Sequence, residues 1–169
     1  MNNRLFISDP DFLMVRSDAT ASDLEFHHNP YHWPGLSDLV GSRSGKPWSD
    51  AAEPRIWATL IALSGGAITL ADHIGKLNRT GLNMINTVLE LASSKAAKPL
   101  DLFENIYPSL WLREENGKKT LGLINWSDTE KEFSLTDYPP NGREIWTNKT
   151  ITKNKIQIPP HDAGIIVFP

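Results

Sequence analysis

Leu5-Phe6-Ile7-Ser8-Asp9-Pro10-Asp11-Phe12-Leu13-Met14-Val15-Arg16 is the stretch on which the fold of this chain turns. Its apolar runs, Leu5–Ile7 and Phe12–Val15, do not alternate with polar residues. An unbroken apolar run belongs to a strand covered on both faces, as in a parallel sheet, or to a buried helical turn. Pro10 has no backbone N–H and drives Asp9 away from helical angles. The reading is a buried strand ending near Ser8, a turn at Asp9–Pro10–Asp11, and an apolar continuation. A strand apolar on both faces needs neighbours, and a βαβ sheet needs several. No other parallel-type strand is evident before residue 110. Two explanations stay open: the tail of a larger α/β domain, or a compact α+β protein in which residues 4–8 join a C-terminal sheet.

Downstream the pattern changes three times. Ser17 to about Asp50 carries Pro30, Pro34, Pro47, Gly35, Gly41 and Gly45 without periodicity, together with His27, His28, Tyr31, His32 and Trp33. So long a loop is usually functional or disordered, and its aromatic and histidine content argues against plain disorder. From Ala51 to Lys95 the spacing is helical. One helix starts at Glu53–Pro54 and loosens at Ser64–Gly65–Gly66; Ala67–Ala71 follows as a short apolar segment. A second helix runs from Thr80 to about Ser94, with Leu82, Ile85, Val88, Leu89 and Leu91 on one side. Lys95 and Lys98 stand near its negative pole, and Pro99 stops it.

After Tyr107 come strand-like runs at Leu110–Arg113, Thr120–Trp126, Glu132–Leu135, Glu144–Thr147, Thr150–Thr152, Lys155–Ile158 and Ile165–Phe168. Turn residues separate them, among them Asn116–Gly117, whose tolerance of positive φ marks a type I′ hairpin. Short strands at this spacing predict an antiparallel sandwich.

Composition narrows the function. The chain has 169 residues, a formal charge of −3, 40% hydrophobic and 22% charged residues, an ordinary globular profile. Lys+Arg 17 against Asp+Glu 20 argues against a nucleic-acid partner. No run approaches the roughly 18 apolar residues of a membrane helix, and no apolar h-region follows Arg4 to mark a signal peptide. With no cysteine, disulfides, thiol nucleophiles and zinc–thiolate sites are excluded; the compartment stays open. Six tryptophans fit either a well-filled core or sugar-stacking platforms.

Few residues suggest chemistry. Asp9 and Asp11 end an apolar strand, the edge of a parallel α/β sheet where active sites gather; the plainer reading is an Asx turn. His27, His28 and His32 lack metal-ligand spacing, so contacts to a substrate or to the rim of the fold suit them better, and no metal is expected. Asp72–His73 could face the same cleft as Asp9 and Asp11, or simply end an element. No nucleophile elbow, dinucleotide fingerprint or phosphate loop is present, and no cofactor is expected.

Asn3–Arg16 resembles the last barrel strand of melibiase-type α-galactosidases, in which an aromatic-rich strand runs into Asn-Asp-Pro-Asp and then apolar residues. Arg55–Asp72 looks like the helix and short segment that close that barrel, and Leu123-Ile124-Asn125-Trp126-Ser127 and Ile156–Gly164 resemble the C-terminal β-sandwich of the same enzymes. The resemblance implies an α+β chain: the last strand and helices of an incomplete (β/α)8 barrel over residues 1–100, then an antiparallel β-sandwich over 101–169. It also implies a retaining glycosidase whose two catalytic carboxylates lie on strands upstream, so no catalytic residue is expected here and the chain alone should be inactive. Asp11 matches a position lining the sugar subsite, with Phe12 beside it and Asp9 supporting the turn; Trp33 is a candidate for stacking on a sugar. Ser8 stands where the family has Asn, and the loop from Ser17 to Asp50 is longer than the family pattern. The partner implied is an α-galactoside or other carbohydrate, with the missing barrel segment or a second copy as a further one. The rival expectation is a non-catalytic carbohydrate-binding or accessory module built on the sandwich, with Trp111, Trp126 and Trp146 as candidate platforms.

Overall fold

Residues 119–125 and 162–168 pair antiparallel, with Asp162 opposite Asn125 and Phe168 opposite Lys119, and everything else is arranged around this pair. The computed structural model describes residues 9–17, 19–21 and 51–169. The strand expected at residues 4–8 and the His- and Trp-bearing loop, with His27, His28, His32 and Trp33, lie outside the described residues.

The described elements are β1 (Phe12–Leu13), α1 (Ala52–Ser64), β2 (Thr69–Leu70), a 3-10 turn (Ile74–Lys76), α2 (Arg79–Leu91), β3 (Lys98–Pro99), β4 (Leu110–Glu115), β5 (Lys118–Asn125), β6 (Lys131–Ser134), β7 (Gly142–Glu144), β8 (Lys149–Ile151), β9 (Lys155–Ile158) and β10 (Asp162–Phe168). They form a six-stranded sheet in the order β3-β4-β5-β10-β7-β8, a two-stranded sheet of β6 and β9, and a two-stranded pair of β1 and β2.

The central sheet is covered on both sides, which explains the near-continuous apolar runs of β5 and β10. Leu121, Leu123, Ile166 and Phe168 face the β6–β9 pair and pack with Phe133, Leu135 and Ile158. Their neighbours in sequence face α1: Ile124 and Ala163 cluster with Ile56, and Ile165 joins Ala58, Ile61 and Ala62. At Gly122 a Cβ would stand 2.3 Å from Leu63 Cδ1, so the absence of a side chain lets α1 sit directly on β5. Arg55 of α1 donates to both carboxylate oxygens of Asp162 at 2.8 and 2.5 Å, tying the helix to the start of β10.

The expected strand runs coincide with β4–β10, with one correction. The run at 144–147 ends at Glu144, because its buried carboxylate accepts the N–H groups of Trp146 and Thr147 (3.1 and 2.7 Å) and turns the chain. Asn116 and Gly117 both have positive φ, 50° and 78°, between the paired residues Glu115 and Lys118, as a type I′ turn requires.

Three helical-zone expectations change. First, the short apolar segment is a strand: β2 pairs parallel with β1, Phe12 opposite Thr69 and Leu13 opposite Leu70. The described order is therefore strand–helix–strand–helix, two β/α units rather than a lone strand followed by helices. Second, α2 ends at Leu91 rather than near Ser94; it begins where Asn78 Oδ1 accepts from Thr80 N and Gly81 N at 2.9 and 3.2 Å, an N-cap. Third, its buried stripe is Gly81, Met84, Ile85 and Val88, spaced i, i+3, i+4, i+7, and Leu82 and Leu89 are exposed. Neither helix has a basic residue in its last turn; the cation at both C-termini comes from β4, where Arg113 donates to Ala62 O (3.0 Å) and Leu91 O (2.8 Å).

The segment leading into β4 is held by Asp101. Its buried carboxylate accepts Ser109 N (2.9 Å), Leu110 N (3.1 Å) and Asn105 Nδ2 (2.9 Å). Burial opposes its charge, but these donors outweigh it and hold its pKa below the ordinary 3.8. With the folded pKa below the unfolded one, the stabilisation is complete above about pH 4 and disappears as pH falls through the folded value. Asp101→Asn should therefore lower stability by about 1–3 kcal/mol near neutrality, and the deficit should narrow toward about pH 3. Urea midpoints at the two pH values check this; an equal deficit at both would show that the charge of Asp101 is not the contributing feature.

Candidate functional site

Pro10 forces a turn, and the two aspartates flanking it close it. Asp11 N donates to Asp9 Oδ1 at 3.0 Å, an Asx turn, and Phe12 N donates to Asp11 Oδ1 at 2.7 Å. Asp11 has φ 82°, a left-handed geometry that aspartate tolerates better than most residues. Each carboxylate thus gives one oxygen to the backbone, and both aspartates are exposed. Such oxygens accept hydrogen bonds from hydroxyl groups, the commonest donor a sugar presents. The turn reading and the ligand reading are compatible, since they use different oxygens.

Phe12 is 51% exposed, while its carbonyl accepts Trp57 Nε1 at 2.6 Å, which fixes the start of β1 against α1. Leu13, next along, is fully buried, and Leu13 O accepts Ala71 N at 3.1 Å.

Asp72 does not share this edge. The strands are parallel, so the turn before β1 and the residue after β2 lie at opposite ends of the pair. The side chain of Asp72 is fully buried and accepts Val15 N (2.6 Å) and Arg16 Nη1 (3.1 Å). It locks the chain leaving β1 to the chain leaving β2, a structural task that needs a charge-assisted acceptor. Asp72→Ala should destabilise by roughly 3 kcal/mol or more, because it strands a buried N–H and a half-buried guanidinium. Thermal melting checks this; an unchanged midpoint would refute the clamp.

The three candidate tryptophans separate. Trp146 donates from Nε1 to Thr59 Oγ1 (3.1 Å) and packs on the helical core. Trp111 packs beside Ile56 and Ile124. Trp126 is 37% exposed, with Nε1 donating to Pro108 O at 3.0 Å. Tyr107 lies 6.0 Å from it, centroid to centroid, tilted by 50°. The sequence offered no local mark separating Trp126 from the other two, and Tyr107 was missed altogether.

No family model and no curated protein matches the sequence. Solved structures do match. A Bacteroides fragilis protein assigned as an α-galactosidase/melibiase superposes over 97% of this chain and 34% of its own, at TM-score 0.67 and 9% identity. The chain has the fold of the C-terminal part of an α-galactosidase-type enzyme. That fold recurs in α-galactosidase I from Mortierella vinacea, over 69% of this chain and 35% of the other, at TM-score 0.54 and 16% identity. It recurs again in a family-27 β-L-arabinopyranosidase from Geobacillus stearothermophilus, crystallised with arabinose, over 74% and 32%, at TM-score 0.56 and 16% identity. The chain spans about a third of the length of these structures. The β-rich, antiparallel C-terminal half expected of an α-galactosidase-type chain is thus present.

Proposed function

We propose that these 169 residues are the C-terminal part of an α-galactosidase-like glycoside hydrolase. They would supply the last two β/α units of a (β/α)8 barrel and the β-sandwich that follows. The observation that carries this reading is the parallel pairing of β1 with β2, each followed by a helix; the Asp9–Asp11 turn enters β1 rather than leaving it, so the sugar role given to it below rests on the resemblance alone. Parallel sheets occur almost entirely as larger sheets with both faces covered, and a two-stranded parallel pair with a half-exposed Phe12 fits one segment of such a sheet.

In this reading the nucleophile and the acid/base belong to strands outside these residues. Asp11 accepts hydrogen bonds from sugar hydroxyls through its second oxygen, Asp9 holds the turn, Phe12 offers its ring beside them, and Trp33 stacks on a sugar face. The substrate class is an α-galactoside or a related carbohydrate.

Two measurements test it. The 169-residue chain alone should leave an aryl α-galactoside intact; substantial turnover would refute the assignment. In a parent carrying the rest of the barrel, Asp11→Asn should lower kcat/KM by about tenfold to a hundredfold, the loss of one or two hydrogen bonds to a charged acceptor. Unchanged kinetics would remove Asp11 from the sugar subsite.

A further inference from the structure

A recess lies on the sandwich half, far along the chain from the Asp9–Asp11 turn. It is a cleft of about 470 Å³ between the segment that Asp101 holds and the end of β5, within the size range of small-molecule sites. Its walls include Tyr107 and Trp126, with Glu104, Asn105 and Lys131 around them.

The aromatic wall is preorganised. Trp126 Nε1 and Trp111 Nε1 both donate to Pro108 O, at 3.0 and 3.2 Å, so the indole of Trp126 is held in place with its polar atom already satisfied. What it shows to the cleft is ring surface. Lys131 donates from Nζ to Ser109 Oγ at 3.2 Å and retains two further N–H donors. Asn105 gives its amide Nδ2 to Asp101, leaving its carbonyl oxygen as an acceptor. The Glu104 carboxylate has no hydrogen-bond partner among the described residues.

We propose that this cleft is a carbohydrate subsite that takes one pyranose ring of an oligosaccharide. A pyranose has a face of C–H groups, weakly positive, that lies against the negative face of an aromatic ring. Its rim carries hydroxyls, each able to donate and accept. Tyr107 and Trp126 supply the first surface; Glu104 and Asn105 accept, and Lys131 donates, around it. The proposal stands on this geometry and does not depend on the glycosidase reading.

Affinity electrophoresis of the full 169-residue chain in gels holding galactomannan, xylan, mixed-linkage β-glucan or dextran tests it. Retardation is expected in at least one gel. Trp126→Ala and Tyr107→Ala should each weaken the affinity about tenfold or more, as hot-spot aromatics do. Phe103→Ala, a fully exposed ring outside the cleft, should leave it intact. Tyr107 is largely exposed, so its variant keeps the fold even if the Trp126 variant does not. Free migration in all four gels, or retardation that survives Tyr107→Ala, would overturn the proposal. So would sedimentation showing a dimer that Tyr107→Ala splits, since the cleft would then be covered by a second copy. Hydrolysis by the parent enzyme and retardation of this chain are separate readouts, and either can fail alone.

Discussion

Replacing Gly65 with alanine should cost the protein roughly 2–5 kcal/mol, a large share of a typical folding free energy. Gly65 closes α1 with φ 66°, where an L side chain costs about 1–2 kcal/mol. Space adds a second penalty. A Cβ there would meet Ala96 N at 2.4 Å and Ala96 Cα and Lys95 C at 2.7 Å, all backbone atoms. That backbone cannot retreat without loss, because Ala97 N donates to Leu63 O at 2.8 Å, the bond that brings the chain across the end of α1 before β3. Overpacking of this kind adds about 1–3 kcal/mol. Gly117 separates the two effects: its φ is 78° and nothing lies within 4 Å of its would-be Cβ. Gly117→Ala should therefore lose only the conformational part, about 1–2 kcal/mol. Urea denaturation of the two variants measures the difference, and equal losses would show that the crossing at Ala96 contributes nothing.

Arg113→Met should lower stability by about 3 kcal/mol, a fall of roughly 6–12 °C in Tm for a chain of this size. Arg113 is 5% exposed. Burial holds its pKa below the usual guanidinium value, with the Glu115 carboxylate pulling the other way, yet a guanidinium stays charged. Its two arms reach the last carbonyls of α1 and α2, where the helix dipoles are negative and a cation is favoured. Methionine fills the stem volume but leaves two buried acceptors without a donor, at about 1–3 kcal/mol each. Arg113→Lys should recover part of the loss, since one ammonium replaces a fork that spans both helices. Thermal unfolding of the three proteins decides it; a methionine variant as stable as the parent would mean the carbonyls find other partners.

How much of this was readable beforehand depends on how local each signal is. The hairpin at Asn116–Gly117 follows from the φ preferences of two residues. The start of α1 near Pro54 and its end at Gly65 follow from the same kind of rule. The Asp9–Pro10–Asp11 turn was legible for the same reason, as its hydrogen bonds span one or two residues. β2 was not. Two residues of strand carry no periodicity, and Thr69–Leu70 becomes a strand only because β1 lies beside it.

The candidate site shows the same division. In sequence, Asp72 looks like a companion of Asp9 and Asp11, because all three follow apolar runs. Parallel pairing sends the end of β2 to the opposite edge, where Asp72 meets Val15, 57 residues away in sequence. Trp111, Trp126 and Trp146 looked alike as candidate platforms, and their exposure was decided by what packs over them: α1 and its neighbours cover Trp111 and Trp146, while Trp126 and Tyr107 border an open cleft.

The chain's own residues, taken in order, determined its turns, its caps, the strands of its second half and the succession of motifs that resembles an α-galactosidase. Those features are settled within a few residues by backbone angles and side-chain shape. The tertiary structure alone decided that β1 and β2 are partners, that one arginine closes two helices, that Arg55 meets Asp162 across 107 residues, and that an aromatic cleft opens beside Trp126. Such contacts arise between side chains distant in sequence, whose meeting depends on how the sheet and helices stack.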